Sequence, residues 1–546
     1  MSDPSPAVVE RGDTPTAEGS IDGDTGDTGD TGDIVEIDDD TSVDDVDEPH
    51  VGQWSPARLT SVEPATWVVV LLVAAYTAYF TNRTLDIHHG LGTASYDSAL
   101  YDQGVWLLSR FETPFVTLMG RNLFGDHTSF ILLLLVPVYW VMPAAGVLFF
   151  SQSLAIGAGA IPVYLVARSR LSSSWLGVLF AAVYLLHPAV SWTNMENFHP
   201  DSYLGVLVGF AIYGAVERRW RVYTVSVALA LLVKEDVSLV IVPLGIWVGW
   251  KRNPRYGLVT VLASAAFMAV AMLVVMRSLI GVPTRNGWRI PFGGPAGFIE
   301  TAVRNPTQIA DHFRSEGRPW YVWQMLSPTA FMFARRPSVA AISALVLFTN
   351  VLSTFWYQFH IQYHYSLVVV PGLVIGTAYA IGSLDGTGWW TRGRSLTAVA
   401  VCSLAAAYAW APLPYAHHEV GYWAPSHPSA VAAREIMAEV PDDASVAAHY
   451  ALTPHLAHRR EIYEFPNPFR VRLYGTDIAM ENTRLERRSE AVEYLVLQVG
   501  KSPEVLLDFE RIRTAFTRVS ANEYWELWRR DPTIALPPLD LGGDVP

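Results

Sequence analysis

The chain has 546 residues, of which 51% are hydrophobic and only 16% are charged, well below the share that is usual in soluble proteins. Apolar runs recur through most of its length, which excludes a large soluble globular protein and indicates a polytopic membrane protein. The net charge of −14 is a property of the first 50 residues, which hold 17 of the 52 acidic residues.

Residues 1–60 are the first predicted region, an acidic segment that carries the repeat DTGDTGDTGD at Asp24–Asp33. Low hydrophobicity and high charge predict a disordered cytoplasmic tail. Repeats rich in Asp and Gly can also bind calcium, but such sites need further spaced ligands and a packed partner. We therefore interpret the segment as a solvated tail.

Residues 61–412 are predicted to form the membrane domain, so the expected fold class is mainly α, a polytopic membrane helix bundle of about 11 helices. The run FILLLLVPVYWVM at 130–142 could be a twelfth span, but we interpret it as a helix lying on the outer surface of the membrane, because a further span would place the Arg-rich loops outside. Cys402, in the last apolar segment, is the single cysteine, which excludes disulfides and cysteine metal sites. The predicted membrane helices are 67–80, 145–167, 174–190, 202–216, 222–233, 236–250, 257–280, 320–334, 338–353, 365–382 and 395–412.

Charge placement predicts the topology. With the N-terminus in the cytoplasm, the short loops ARSRL, ERRWR, KRNPR, ARRPS and TRGRS all face the cytoplasm, as the positive-inside rule requires. The first loop, 81–129, and residues 413–546 then lie on the outer face of the plasma membrane. Short apolar runs such as EYLVLQ predict that 413–546 is a small soluble extracytoplasmic α/β domain.

Two acids stand out in the first outer loop, in the stretch YDSALYDQ. Asp97 or Asp102 could act as a general base on a hydroxyl, best with a pKa raised near a low-dielectric boundary. Acids five residues apart lie about 140° apart around a helix, so they need not face the same pocket. Solvated acids on a capped surface helix are the alternative, which this loop alone favours. His127 closes the loop just before the apolar run.

Two further outer clusters contain histidine. Glu196 and His199 are spaced i, i+3, so one helical face could present both as a metal-ligand pair or as an oriented acid and base. A capped surface turn is an equal alternative. His360 and His364 could bind zinc, but HIQYH lacks the Glu of a zinc-protease motif, which favours a polar, aromatic-lined mouth. A divalent metal is thus a possible cofactor.

The stretch ALLVKEDVSLVIV places Lys234, Glu235 and Asp236 side by side between two apolar segments. Ionisable groups at membrane depth are costly and usually functional. A lysine near the outer boundary of the plasma membrane suits a phosphate group, which needs a compact cation. An internal ion pair between the lysine and an acid is the alternative.

Six stretches of the chain, in this order, resemble the domain-of-unknown-function 2079 family of predicted membrane proteins: YDSALYDQGVW, GDHTSFILLLLVPVY, NFHPDSY, LLVKEDVSL, IQYHYSLVVVPGL and DDASVAAHYALTPHLAHRREIYEFP. That family resembles the GT-C type membrane glycosyltransferases, which take a sugar from a polyprenyl-phosphate carrier. The resemblance implies that Asp97 and Asp102 are the first-loop acids and that Lys234 is the phosphate contact. The loop lacks the adjacent Asp-X-Asp or Asp-Glu pair of those enzymes, so metal dependence stays open.

The expected function is transfer of a sugar from a polyprenyl-phosphate carrier to an acceptor hydroxyl in the cell envelope. Glu235 and Asp236 would orient Lys234 and contact sugar hydroxyls, and Glu196, His199, His127, His360 and His364 are further substrate-binding candidates. The expected partners are membrane lipid, the lipid-linked donor and an envelope acceptor, and no nucleic acid. A transporter or flippase for lipid-linked or polar substrates would use the same buried charges. A non-catalytic envelope scaffold is the third possibility.

Overall fold

The computed structural model describes residues 62–282, 286–384, 391–417 and 423–541. The predicted acidic tail, 1–60, lies outside these residues. From residue 61 onward the chain forms one compact unit. The described residues are mainly helical, as predicted, and the strands are confined to the first loop and to the part after residue 440.

The helices follow the predicted apolar segments, each of which contains helix. Up to residue 282 they are α1 (Pro64–His89), α2 (Leu100–Ser109), α3 (Leu123–Asp126), α4 (Val136–Val141), α5 (Ala145–Ala158), α6 (Ala160–Leu171), α7 (Ser174–Leu185), α8 (Pro188–Met195), α9 (Leu204–Val216), α10 (Trp220–Leu231), α11 (Ser238–Lys251), α12 (Pro254–Val270) and α13 (Arg277–Ile280). Between 286 and 417 they are α14 (Pro295–Arg304), α15 (Pro306–Arg314), α16 (Arg318–Leu326), α17 (Ala344–Leu352), α18 (Val370–Gly382) and α19 (Arg392–Trp410). The last are α20 (Pro428–Met437), α21 (Glu486–Ala491) and α22 (Pro503–Glu510).

Four helical segments are long and apolar enough to cross a membrane by themselves: Pro64–His89, Ala145–Leu171, Pro254–Ile280 and His364–Gly382. A fifth span is possible if α7 and α8 are taken together, although the pair is bent by 49°. Four further apolar helices have 10–17 residues: Phe130–Val141, Pro200–Val216, Trp220–Leu231 and Ala340–Leu352. Among the described residues the helical nature of the bundle is therefore clear, and the number of spans, eleven, stays a prediction.

The bend between α7 and α8 has a local cause. Pro188, at the first position of α8, lacks the N–H that a continuous helix would need. The His187 side chain caps the new helix, since its Nδ1 accepts from the backbone N–H of Ala189 at 3.3 Å. Helix α8 then ends at Met195, and both Glu196 and His199 have extended backbone.

Helices α11 and α12 pack closely because glycines face each other at their contact. A Cβ on Gly257 would lie only 2.3 Å from the Cα of Gly249 and 2.7 Å from the carbonyl oxygen of Gly245. Small residues allow helix backbones to approach in this way inside membranes. The contact anchors α11, which begins directly after the Lys234–Asp236 turn.

The segment Phe130–Val141 is helical, as predicted, with a 3₁₀ turn over Phe130–Leu135 followed by α4. Leu134 and Val141 are exposed, so one side of the segment is apolar and uncovered. The indole N–H of Trp140, whose ring is also exposed, donates to the carbonyl of Ser109 at 3.0 Å and ties the segment to the end of α2. These contacts suit a helix on the membrane surface, and that placement stays a prediction.

The strands form two sheets. In the first loop, β1 (Phe115–Val116) and β2 (Arg121–Asn122) make a short antiparallel hairpin. The part after residue 440 contains β3 (Val446–Ala448), β4 (Ile462–Glu464), β5 (Tyr494–Gln498), β6 (Phe516–Ala521) and β7 (Trp525–Arg530), in the order β4-β3-β5-β7-β6. Strand β3 is parallel to both β4 and β5, so the carboxyl ends of all three lie at one edge.

The first loop is held by this second sheet. The hydroxyl of Thr117 donates to the carbonyl of Ile462 at 2.8 Å, and the amide of Gln103 donates to the carbonyl of Arg459 at 3.1 Å. The backbone N–H of Gly475 donates to the carbonyl of Met119 at 2.9 Å. The α/β character predicted for 413–546 is present, and its status as a separate domain stays a prediction.

Candidate active site

A cavity of about 150 Å³ lies where the first loop meets the extended segment after α8, the turn before α11 and the start of His364–Gly382. Five of the ten predicted site residues line it: Asp97, His127, His199, Lys234 and His364. The other lining residues are Tyr96, Leu100, Tyr101, Met119, Arg121, Asp126 and Tyr365. The cavity therefore collects charged side chains from four parts of the sequence that are far apart.

Asp97 occupies a strained backbone conformation, with φ 71° and ψ −84° in the irregular turn Ser95–Ala99. Such a conformation costs about 1–3 kcal/mol in a residue other than glycine, and it is concentrated at functional sites. The carboxylate lies 3.2 Å from Nε2 of His199. Burial raises the pKa of Asp97, but His199 outweighs this effect, and the pKa lies below its usual range. The raised pKa that would suit a general base is thus not found in this state.

His199 is the cationic partner of Asp97. Its Nδ1 lies 2.9 Å from the carbonyl oxygen of Asn197, so each ring nitrogen faces an acceptor. Burial alone lowers the pKa of His199, but the carboxylates of Asp97 and Glu196 raise it to about 9. A doubly protonated imidazolium fits this surrounding at neutral pH.

Glu196 joins the two histidines, although not by the predicted geometry. Helix α8 ends at Met195, and Glu196 and His199 are extended, so the expected shared helical face is wrong. Instead, one oxygen of Glu196 accepts from the backbone N–H of His364 at 2.7 Å and lies 3.1 Å from its Nδ1. Tertiary packing, rather than helical spacing, brings these side chains together.

Glu196, His199 and His364 also form the one group of at least three candidate metal ligands found in the described part of the chain. The two imidazole rings are stacked, with centroids 3.7 Å apart and planes inclined by 25°. A metal ion binds a histidine nitrogen in the plane of its ring. An ion in the plane of one ring would lie well out of the plane of the other, so these residues fit a shared metal only if one ring turns.

Lys234 is buried, and its ammonium group forms two long ion pairs, with Asp201 and Asp236. Its Nζ lies 3.7 Å from Asp201 and 3.9 Å from Asp236, beyond hydrogen-bond distance. Burial lowers the pKa of Lys234, but Asp201 and Asp236 outweigh this effect, and the pKa is raised well above its usual value. The ammonium is thus a retained charge at the cavity wall, placed to donate hydrogen bonds to an anionic oxygen. Asp201 was not singled out in the sequence, although it lies in the family-like stretch NFHPDSY.

The two acids of the triplet point in different directions. Glu235 accepts from His127 Nδ1 at 2.8 Å and from the backbone N–H of Thr128 at 3.2 Å, so it anchors the end of the first loop. Burial raises the pKa of Glu235, but His127 outweighs this effect and lowers it to about 2. The Asp236 side chain is half exposed. The structure therefore joins Glu235 to His127 and leaves Asp236 at the rim.

Asp102 and His360 lie away from the cavity. Asp102 is buried, and one of its oxygens accepts from the hydroxyl of Tyr139 at 2.7 Å and from Nε2 of His458 at 2.9 Å. The two first-loop acids therefore lie in different surroundings, which the angle of about 140° between them on a helix allows. His360 Nδ1 lies 2.6 Å from the carbonyl oxygen of Trp356, within an aromatic group rather than beside His364.

Comparisons with known proteins agree with this architecture. The model of the family described as "Predicted membrane protein (DUF2079)" matches residues 87–525. No curated protein matches the chain. The apo structure of ArnT from Cupriavidus metallidurans is similar with a TM-score of 0.50 and 14% identity, over 87% of this chain and 100% of that one.

Two further solved structures are similar at lower scores. ArnT from Cupriavidus metallidurans bound to undecaprenyl phosphate has a TM-score of 0.47 and 13% identity, over 85% of this chain and 98% of that one. The oligosaccharyltransferase AglB from Archaeoglobus fulgidus, in complex with an inhibitory peptide and a dolichol-phosphate, has a TM-score of 0.37 and 11% identity, over 80% and 69%. The expected likeness to the GT-C type membrane glycosyltransferases is confirmed for the fold alone. The family match covers most of the sequence, and the chain belongs to the DUF2079 family of predicted membrane proteins.

Proposed function

We propose that this protein transfers a sugar from a polyprenyl-phosphate carrier to a hydroxyl group of a cell-envelope acceptor, on the outer face of the plasma membrane. One observation carries the proposal: a buried lysine, whose ion pairs to Asp201 and Asp236 are too long to be hydrogen bonds, shares a cavity with a carboxylate on strained backbone. A cation for the phosphate and a base for the hydroxyl are the two charges that this reaction needs.

Lys234 supplies the cation. The acceptor oxygen attacks the anomeric carbon of the sugar, the bond from that carbon to the phosphate oxygen breaks, and the lipid phosphate leaves with the bonding electron pair. Negative charge then grows on the phosphate, where the Lys234 ammonium stabilises it. A charge placed in a buried site before the reaction stabilises the transition state without reorganisation.

Asp97 accepts the proton of the acceptor hydroxyl. Its ion pair with His199 keeps it ionised until the acceptor arrives. When the hydroxyl takes the place of the imidazolium beside the carboxylate, Asp97 loses the partner that lowered its pKa and becomes a stronger base. Asp201 and Asp236 hold the lysine, and Glu235 with His127 fixes the loop.

The test is transfer by purified, reconstituted protein from a radiolabelled polyprenyl-phosphate sugar. We expect Lys234→Met to abolish transfer and to weaken binding of the lipid phosphate, and Lys234→Arg to restore little, because arginine differs in shape and hydration. Lys251→Met is the matched control, since it removes the exposed lysine at the far end of α11.

Full transfer by a folded Lys234→Met protein would contradict the phosphate role. Movement of the labelled lipid across the bilayer without any sugar transfer would instead identify a flippase. Absence of both activities from the parent protein would favour the non-catalytic scaffold.

A further inference from the structure

A second cavity, of about 520 Å³, lies at the edge of the five-stranded sheet. Its walls include the carboxyl ends of the three parallel strands: His449 and Tyr450 directly after β3, Glu464 as the last residue of β4, and Gln498 as the last residue of β5. In open α/β sheets, ligands bind in the crevice outside the carboxyl ends of the strands. The volume is within the range of small-molecule sites. We refer to this cavity as the strand-end crevice.

The strand-end crevice adjoins the cavity that holds Asp97. Tyr96 lines both, and it directly precedes Asp97 in the chain. The Tyr96 hydroxyl donates to the carbonyl of Leu473 at 2.6 Å, which fixes the ring between the two spaces. A molecule bound in the crevice therefore lies one side chain away from the carboxylate.

The exposed surface of the crevice is aromatic and largely uncharged. Tyr450 is 53% exposed, and the ring of His449 lies 4.4 Å from it. Burial lowers the pKa of His449 to about 4, so this ring is neutral at physiological pH. Aromatic rings flanked by a few polar groups suit a ligand that has both apolar faces and hydroxyls.

The fixed cations of the crevice already have acidic partners. Lys501 lies 2.6 Å from Glu526, and Arg472 lies 2.9 Å from Glu504. Burial raises the pKa of Glu464. No surplus positive charge is thus present among these described residues to attract an anion, which favours a neutral ligand.

We propose that the strand-end crevice binds a neutral carbohydrate, the acceptor whose hydroxyl reaches Asp97 beside Tyr96. The proposal rests on the proposed function for its chemistry, because only a transferase needs an acceptor there. Tyr450 and the neighbouring His449 ring pack against the sugar face, and Glu464 accepts its hydroxyls. The lipid-linked donor binds separately, at Lys234.

Binding can be measured without any donor. Full-length protein in nanodiscs would be titrated with three neutral trisaccharides, maltotriose, cellotriose and mannotriose, and with glucose 6-phosphate as the anionic probe. We expect at least one trisaccharide to bind, and Tyr450→Ala and Glu464→Gln each to weaken its binding about tenfold, as the loss of one aromatic contact or one hydrogen bond does. Tyr415→Ala, an equally exposed tyrosine elsewhere, and Glu523→Gln, an exposed acid between β6 and β7, should bind as the parent does.

Three results would overturn the assignment: no trisaccharide binds, the control variants weaken binding as much as the crevice variants, or only glucose 6-phosphate binds. A variant that fails to fold is recognised by its thermal transition, and Tyr450→Phe then replaces Tyr450→Ala, with retained binding expected because the ring remains.

The transfer assay separates this inference from the proposed function. If both are correct, the crevice variants raise the acceptor KM and leave the donor KM unchanged. If the crevice variants transfer sugar with a normal acceptor KM, the crevice is not the acceptor site, and the proposed sugar transfer still stands. If the trisaccharide binds at the crevice but the protein never transfers sugar, the crevice is a carbohydrate-binding site and the proposed transferase function is wrong.

Discussion

Asp97 and Asp102 belong to the same short stretch, yet they face different surroundings. Asp97 lies in the cavity beside His199, whereas Asp102 is buried between Tyr139 and His458. We expect Asp97→Asn to lower turnover by about 10²–10⁴-fold, the usual effect of losing a positioned base, while donor binding survives at Lys234. Asp102→Asn should lower the Tm, because Asp102 is buried between two hydrogen-bond donors. Its turnover per folded molecule should stay close to that of the parent.

Turnover and donor binding of both variants in reconstituted protein would check this assignment. Near-normal turnover of Asp97→Asn would remove this acid from the chemistry. A larger loss of turnover in a folded Asp102→Asn protein would show that the two acids have the opposite roles.

The His127–Glu235 pair predicts a stability that depends on pH. The pKa of Glu235 is lowered from 4.5 to about 2, so its contribution is complete above pH 4.5 and is lost as the pH falls toward 2. Burial lowers the pKa of His127, but Glu235 outweighs it and raises the pKa above 6.5, so that contribution is complete below 6.5 and is lost as the pH rises further. The pair should stabilise the protein most between about pH 4.5 and 6.5.

His127→Gln tests this window. The variant should lower the Tm most near pH 5.5, and the difference from the parent should shrink at higher pH. Thermal unfolding in detergent from pH 4.5 to 9 would measure it, with His360→Gln as the histidine control. A difference that is constant across this range would mean that His127 acts through packing alone.

The sequence indicated residues better than it indicated their partners. The Lys234–Asp236 triplet is conspicuous because charges inside apolar sequence are costly, and Lys234 does lie in the cavity. Its nearest carboxylate, Asp201, is more than 30 residues away in the sequence. The bonded pair His127 and Glu235 is more than 100 residues apart. Local spacing contains no information on such pairs, since packing of the whole bundle decides them.

At the scale of elements, hydrophobic runs predicted the positions of the helices but not where they break. The helix expected over 174–190 is interrupted, because Pro188 removes a backbone donor and His187 caps the new start. The i, i+3 interpretation of Glu196 and His199 was wrong for a separate reason: α8 ends at Met195, and Glu196 and His199, which precedes Pro200, both have extended backbone. The prolines Pro188 and Pro200 and the capping residue His187 are the features of the sequence that could have indicated these helix ends.

The glycine contact between α11 and α12 gives a prediction at this scale. Gly257→Val would place its Cβ 2.3 Å from the backbone of Gly249, so the helices must separate. We expect a destabilisation of about 1–3 kcal/mol, as overpacking usually causes, and a lower Tm in detergent. Gly393→Ala is the control, since nothing lies within 4 Å of its added Cβ. An unchanged Tm for Gly257→Val would mean that this contact is absent in the membrane.

At the scale of the whole molecule, the topology is the central prediction. Ser169, in the Arg-rich stretch ARSRL at the end of α6, and Ser426, after the last apolar helix, are both exposed and can each be replaced by cysteine. In a Cys402→Ser background, an impermeant thiol reagent should label Cys at 426 but not at 169 in intact cells. The opposite pattern would place the candidate site on the cytoplasmic side and exclude transfer at the outer face.

The grip of the sheet on the first loop has a consequence for how this protein can change over time. Thr117, Gln103 and Met119 bond to the backbone of the segment after residue 440, and Tyr96 bonds to Leu473 beside the strained Asp97. The loop and the sheet are therefore expected to evolve together, although more than 300 residues separate them in the sequence. A chimera of two relatives that exchanges the sheet but not the first loop would lose the hydrogen bonds that hold the backbone near Asp97. We therefore expect active chimeras only where the first loop and the sheet come from the same parent.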